Sequence, residues 1–177
     1  MNLEQTTQQL KNSKMAQWFQ ANIRYTQQDD QGKQKTVNEV YLFDSVSYTD
    51  AEAKTYGFVA QNWPDFQLVS IKRLKMQEVF FVENGAELWF KAKVQYITFD
   101  EKSQSEKKTA YSMLINAENV KDAYDLMRER LGPINDYIIS DINSTNILEV
   151  VPYENIEDKV AAGRLTPLSE IDVPVTE

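Results

Sequence analysis

Two stretches of this chain set a tryptophan at the head of alternating polar side chains: Trp18-x-Gln20-x-Asn22-x-Arg24 and Trp89-x-Lys91-x-Lys93-x-Gln95. A ring beside amines is the combination that single-stranded nucleic acid binding uses, because bases stack on aromatic faces and cations track phosphates. If each stretch is a strand, alternate residues share a face. Trp89 then stands with Lys91 and Lys93, and Trp18 with Arg24. Lys107 and Lys108 enlarge such a surface, as do Lys72, Arg73 and Lys75. The tryptophans also have a structural alternative, in which they fill a second core layer under the helices or the seam between two halves of the molecule. The candidate nucleic-acid contacts are Trp18, Arg24, Trp89, Lys91, Lys93, Lys107 and Lys108.

Other chemistry is poorly provided for. The chain has no His and no Cys, which removes the commonest general base, most zinc sites and the thiol nucleophile. Five glycines leave no phosphate-cradling G-x-G-x-x-G and no P-loop. Asp29-Asp30 and Asp100-Glu101 read as hairpin tips, where Asp is a good turn residue, and their spacing gives no converging oxygens for a cation. No catalytic residue, metal site or cofactor is assigned, and the expectation is a binding protein rather than an enzyme.

The elements that must position these residues come in two copies. Trp18-Phe19-x-Ala21-x-x-x-Tyr25 recurs as Trp89-Phe90-x-Ala92-x-x-x-Tyr96 at a constant offset of 71 positions. Lys35-Thr36 then matches Lys108-Thr109, Tyr41-Leu42-Phe43 matches Met113-Leu114-Ile115, and Glu78-Val79 matches Glu149-Val150, with small shifts in the turns where insertions fall. Each copy reads as two alternating, aromatic-rich strands, a helix and a third strand. Ser47-Tyr48-Thr49-Asp50 and Asn119-Val120-Lys121-Asp122 have capping-box spacing. Helical stripes follow at Tyr48, Ala51, Thr55 and Phe58, and at Val120, Ala123, Met127 and Leu131. Short apolar pieces close the copies at 79–82 and 147–151. The expected fold is α+β: two tandem β-β-α-β repeats packed as a pseudo-twofold unit with mainly antiparallel sheets.

Length and charge agree with that division. One unit of about seventy residues would bury only about 60% of its unfolded surface and be marginal alone. The expected boundaries are a polar arm at 1–14, repeats at 15–83 and 84–153, and a short helix with an acidic flexible tail at 154–177. The net charge is −8, and the last segment holds six acids against two bases. No apolar run is long enough for a membrane helix and no signal-peptide pattern opens the chain, so a cytoplasmic protein without membrane contact is expected.

The W-F-x-A-x-x-x-Y strands, the helix start S-Y-T-D-A-E-A at Ser47–Ala53 and the hairpin F-D-E-K-S-x-x-E-K-K-T-A at Phe99–Ala110 resemble an uncharacterised domain-of-unknown-function family of Bacteroidetes and their phages and mobile elements. The resemblance covers roughly residues 15–153. It implies a bacterial or phage setting and brings no catalytic residues with it. With the paired strand faces, it leads to the expectation of a single-stranded DNA accessory protein. The alternative is a protein–protein interaction module, a host-factor inhibitor or particle component, whose partner is a host or phage protein.

Overall fold

The computed structural model describes residues 17–83, 86–102, 104–133 and 136–153. The polar arm at 1–14 and the helix and tail expected at 154–177 lie outside the described residues. Strands β1 (Trp18–Gln28) and β2 (Gln34–Asp44) form a hairpin, followed by helix α1 (Tyr48–Val59), β3 (Gln67–Leu74) and β4 (Glu78–Phe80). The order then repeats as β5 (Leu88–Asp100), β6 (Ser105–Ala117), α2 (Val120–Leu131), β7 (Tyr137–Ser144) and β8 (Ile147–Val151). Each copy thus has one strand more than expected, because its closing apolar piece joins a sheet.

That extra strand leaves home. One sheet has the order β3-β1-β2-β8 and the other β4-β6-β5-β7. Each takes three strands from one copy and its last strand from the other. Val150 and Val151 of β8 stand opposite Leu42 and Phe43 in parallel, and Val79 and Phe80 of β4 opposite Leu114 and Ile115. Only two or three residues separate β3 from β4 and β7 from β8, so the chain passes directly from sheet to sheet at both sides. All other pairings are antiparallel. Two irregularities match, since β3 slips by one opposite Asn22/Ile23 and β7 does so opposite Lys93/Val94, whereas the slip of β8 opposite Val40/Tyr41 has no counterpart in β4. The fold is α+β with two mixed, mostly antiparallel four-stranded sheets.

The helices start where the sequence signals them. Ser47 Oγ accepts the Asp50 N–H at 3.1 Å and Asn119 Oδ1 accepts the Asp122 N–H at 3.0 Å. The buried rows are Ala51-Thr55-Val59 and Ala123-Met127. Tyr48 and Val120, expected on the apolar stripes, are more than half exposed. Each opens its helix, one turn before the buried row begins, and Tyr48 keeps only an edge contact with Phe19, at 4.9 Å. No described helix is long and apolar enough to cross a membrane.

Three clusters make the core. Helix α1 covers one face of its sheet over Ala21, Ile23, Tyr41 and Phe43, and α2 covers Ala92, Val94, Met113 and Ile115. The third cluster joins the two sheets through the faces away from the helices, with Trp18, Val40, Leu42, Ile147 and Val150 against Trp89 and Leu114.

A matched clamp seals each exchanged strand. Asn116 accepts the Val82 N–H at 2.7 Å and donates to the Val82 and Ala86 carbonyls. Its counterpart Asp44 accepts N–H bonds from Tyr153 and Gln17, and its half-buried position raises its carboxyl above the usual aspartate range despite nearby Lys54. A raised acid holds more protons folded than unfolded, so stability falls as pH rises from the ordinary aspartate value through the raised one. Asp44→Asn is expected to raise the melting temperature by a few degrees at neutral pH and to remove that slope. Melts between about pH 4 and pH 7 check it; a lower midpoint at neutral pH would contradict the assignment.

Candidate nucleic-acid interface

The indoles do not project into solvent. Trp18 is 5% exposed and Trp89 8%, and both lie in the cluster between the sheets. Phe81 closes on the Trp89 ring edge-to-face at 5.5 Å. The expectation that Trp18 and Trp89 offer stacking platforms is therefore corrected. They do lie on the predicted face, opposite the helix-covered one, but that face meets the other copy at its tryptophan end. An indole sealed on both sides cannot stack on a base.

Further along the same strands that face is in solvent. In the second sheet, Lys91 and Lys93 are exposed on β5. The register sets Leu114 opposite Lys91, Ser112 opposite Lys93, Ala110 opposite Gln95 and Lys108 opposite Ile97. Lys108 thus shares the face of Lys91 and Lys93, whereas Lys107, opposite Thr98, points to the helix side. Of the four cations expected in this copy, three share a face and Lys107 does not. At the end of this row stands Phe99, 66% exposed, the most exposed of the large apolar side chains among the described residues. Sequence reading passed over it because it sits beside the Asp100-Glu101 turn. Its parity with Trp89 and Lys91 was the available signal. Asp141, opposite Lys93, and Glu106, opposite Phe99, bring negative charge to the same face.

Arg24 belongs to the other sheet. It is exposed and donates through Nε to Asn38 Oδ1 at 3.1 Å. Beside it, Gln20 donates to Asn22 at 3.2 Å, and Asn22 donates to Ser70 Oγ at 2.7 Å. Lys72, opposite Gln20 on β3, shares this face, while Arg73, opposite Phe19, does not.

Two further features lie elsewhere. On the helix side of the first sheet, Glu39 accepts the Tyr25 and Tyr41 hydroxyls, each at 2.7 Å. Burial and the adjacent carboxylate push Tyr25 up to about 12 and Tyr41 upward as well. Trp63 stacks on Tyr25 at 4.0 Å. These hydroxyls stay protonated at neutral pH, so the cluster works as a satisfied polar plug. An open groove of about 840 Å³ runs between α2 and β7, lined by Tyr124, Arg128, Tyr137 and Ile138 among others. Among the described residues, no group of three or more acids is placed to hold a metal ion.

A family model described as a domain of unknown function (DUF4494) matches residues 17–153. No curated protein and no solved structure matches the chain.

Proposed function

The chain belongs to that family, and on this premise we propose that it is a non-enzymatic accessory protein for single-stranded nucleic acid, DNA first. We place it in the cytoplasm, as its cysteine-free sequence suggests, and in a phage or mobile-element setting, as the resemblance carried by the strand and hairpin motifs implies. The observation that carries the reading is the open half of the second sheet. There Lys91, Lys93 and Lys108 share a face with the exposed ring of Phe99, in a chain whose net charge is −8. Amines at strand spacing suit a run of phosphates, and one exposed ring suits a stacked base. The buried indoles take no part in this version.

Anisotropy of a labelled oligonucleotide of about 20 nucleotides tests it. Binding is expected at low salt and weakens as salt rises, because phosphate contacts release counterions. Lys91→Glu with Lys93→Glu should weaken binding at least about tenfold and flatten the salt slope by roughly two contacts. Phe99→Ala should cost about 1–3 kcal/mol of affinity. Absence of binding at low salt would sink the proposal.

The second reading is a protein-interaction module. It rests on the α2–β7 groove, which runs beside an edge strand that carries exposed Ile138. Edges of this kind accept a partner strand, although the slip in β7 interrupts the template. A partner protein retained by the wild type and lost on Ile138→Lys would favour it.

A further inference from the structure

We infer that the equivalent face of the first sheet, half-buried at Gln20 and Asn22 and exposed at Arg24 and Asn38, reads bases rather than phosphates, so that the two copies divide the work of binding. The inference rests on the function proposed above and assigns it a second, chemically different site. The two faces correspond position by position. Where the second sheet has Lys91 and Lys93, the first has Gln20 and Asn22. Opposite Arg24 stands Asn38, and opposite Asn22 stands Ser70. From Gln20 outward to the hairpin, the β1 and β2 residues on this face include no carboxylate. In an acidic chain, such a face meets a polyanion without like-charge repulsion, and Arg24 and Lys72 favour the encounter.

The chemistry on offer is that of base edges. Asn and Gln present a donor and an acceptor side by side, which matches adenine and other base edges bidentately, while amines mark only a charge. The groups are already ordered. Gln20 donates to Asn22, Asn22 to Ser70, and Arg24 to Asn38. Gln20 and Asn22 each spend one N–H in this chain and have a second to offer, while Asn38 accepts from Arg24 through its carbonyl oxygen. A face held in place by its own hydrogen bonds loses little entropy on binding. It contains no aromatic ring, so stacking does not supply its selectivity.

Labelled dA, dC and dT homopolymers of about 20 nucleotides, bound to the full chain, separate the two sites. The wild type is expected to show a spread of about tenfold or more between its best and worst homopolymer, the discrimination one bidentate contact provides. Asn22→Ala with Asn38→Ala should shrink the spread below about threefold by weakening the best-bound homopolymer, with the salt slope unchanged. Lys91→Glu with Lys93→Glu should instead weaken every homopolymer and flatten the salt slope while the spread persists. Asn38 is a surface residue, so Asn38→Ala alone serves if the double variant does not fold. Equal affinities in the wild type, or a spread that survives the asparagine changes, would overturn the base-reading role and leave phosphate binding standing. Failure of every homopolymer to bind would instead remove the proposed function, and this inference with it.

Discussion

Trp89→Ala is expected to lower the unfolding free energy by roughly 3–5 kcal/mol, the range for removing a large aromatic from a packed interior. Trp18→Ala should do the same. Phe99→Ala, ten residues along the same strand face, should cost no more than about 0.5 kcal/mol. The contrast follows from what each ring touches. Trp89 packs with Leu114, Val150 and Trp18 where the sheets meet, whereas Phe99 reaches past the end of that contact. Loss of either indole leaves a cavity between two sheets that strand exchange holds in place, so the walls cannot collapse to fill it. The two tryptophans share one cluster, and the double variant should deviate from additivity. Urea titrations decide the matter. Comparable midpoints for Trp89→Ala and the wild type would mean that the indole is not structural, and the stacking role would have to be reopened.

The second large effect crosses between the copies. Val150→Asp, a change in the last strand of the second copy, should unravel the first copy's sheet, because Val150 is buried opposite Leu42. An unpaired carboxylate in that cluster should cost of order 4 kcal/mol or more and leave little folded protein. Val150→Ala is the gentler probe. It should remain folded, with hydrogen-exchange protection reduced first at Val40–Phe43, in β2. Val79→Ala should mirror it, exposing Met113–Ile115 in β6. Protection lost instead within the mutated copy's own sheet would contradict the exchange. The same arrangement explains why one unit would not suffice: each sheet lacks its fourth strand, and the buried face at its tryptophan end lacks a cover, until the other copy supplies both.

The hairpins and helix caps were legible in the chain because they rest on local rules. Alternation along Trp18–Gln28 and Leu88–Asp100 needs only neighbouring residues, and an oxygen three positions before an acid marks a helix start at Ser47 and Asn119. The split between Lys107 and Lys108 was legible too, once strand parity is followed through the turn. The exchange of β4 and β8 was not. Glu78-Val79 and Glu149-Val150 match each other, yet nothing in so short a segment says which sheet it will join.

Sequence by itself determined that every first strand has one apolar face and one mixed face, since side chains must alternate along a pleated backbone. Only the tertiary structure decided how far the mixed face is covered, because that depends on where a distant second copy comes to rest. The near end of the mixed face, with both indoles, became core. The far end, with Lys91 and Lys93 on one sheet and Arg24 and Asn38 on the other, stayed in water.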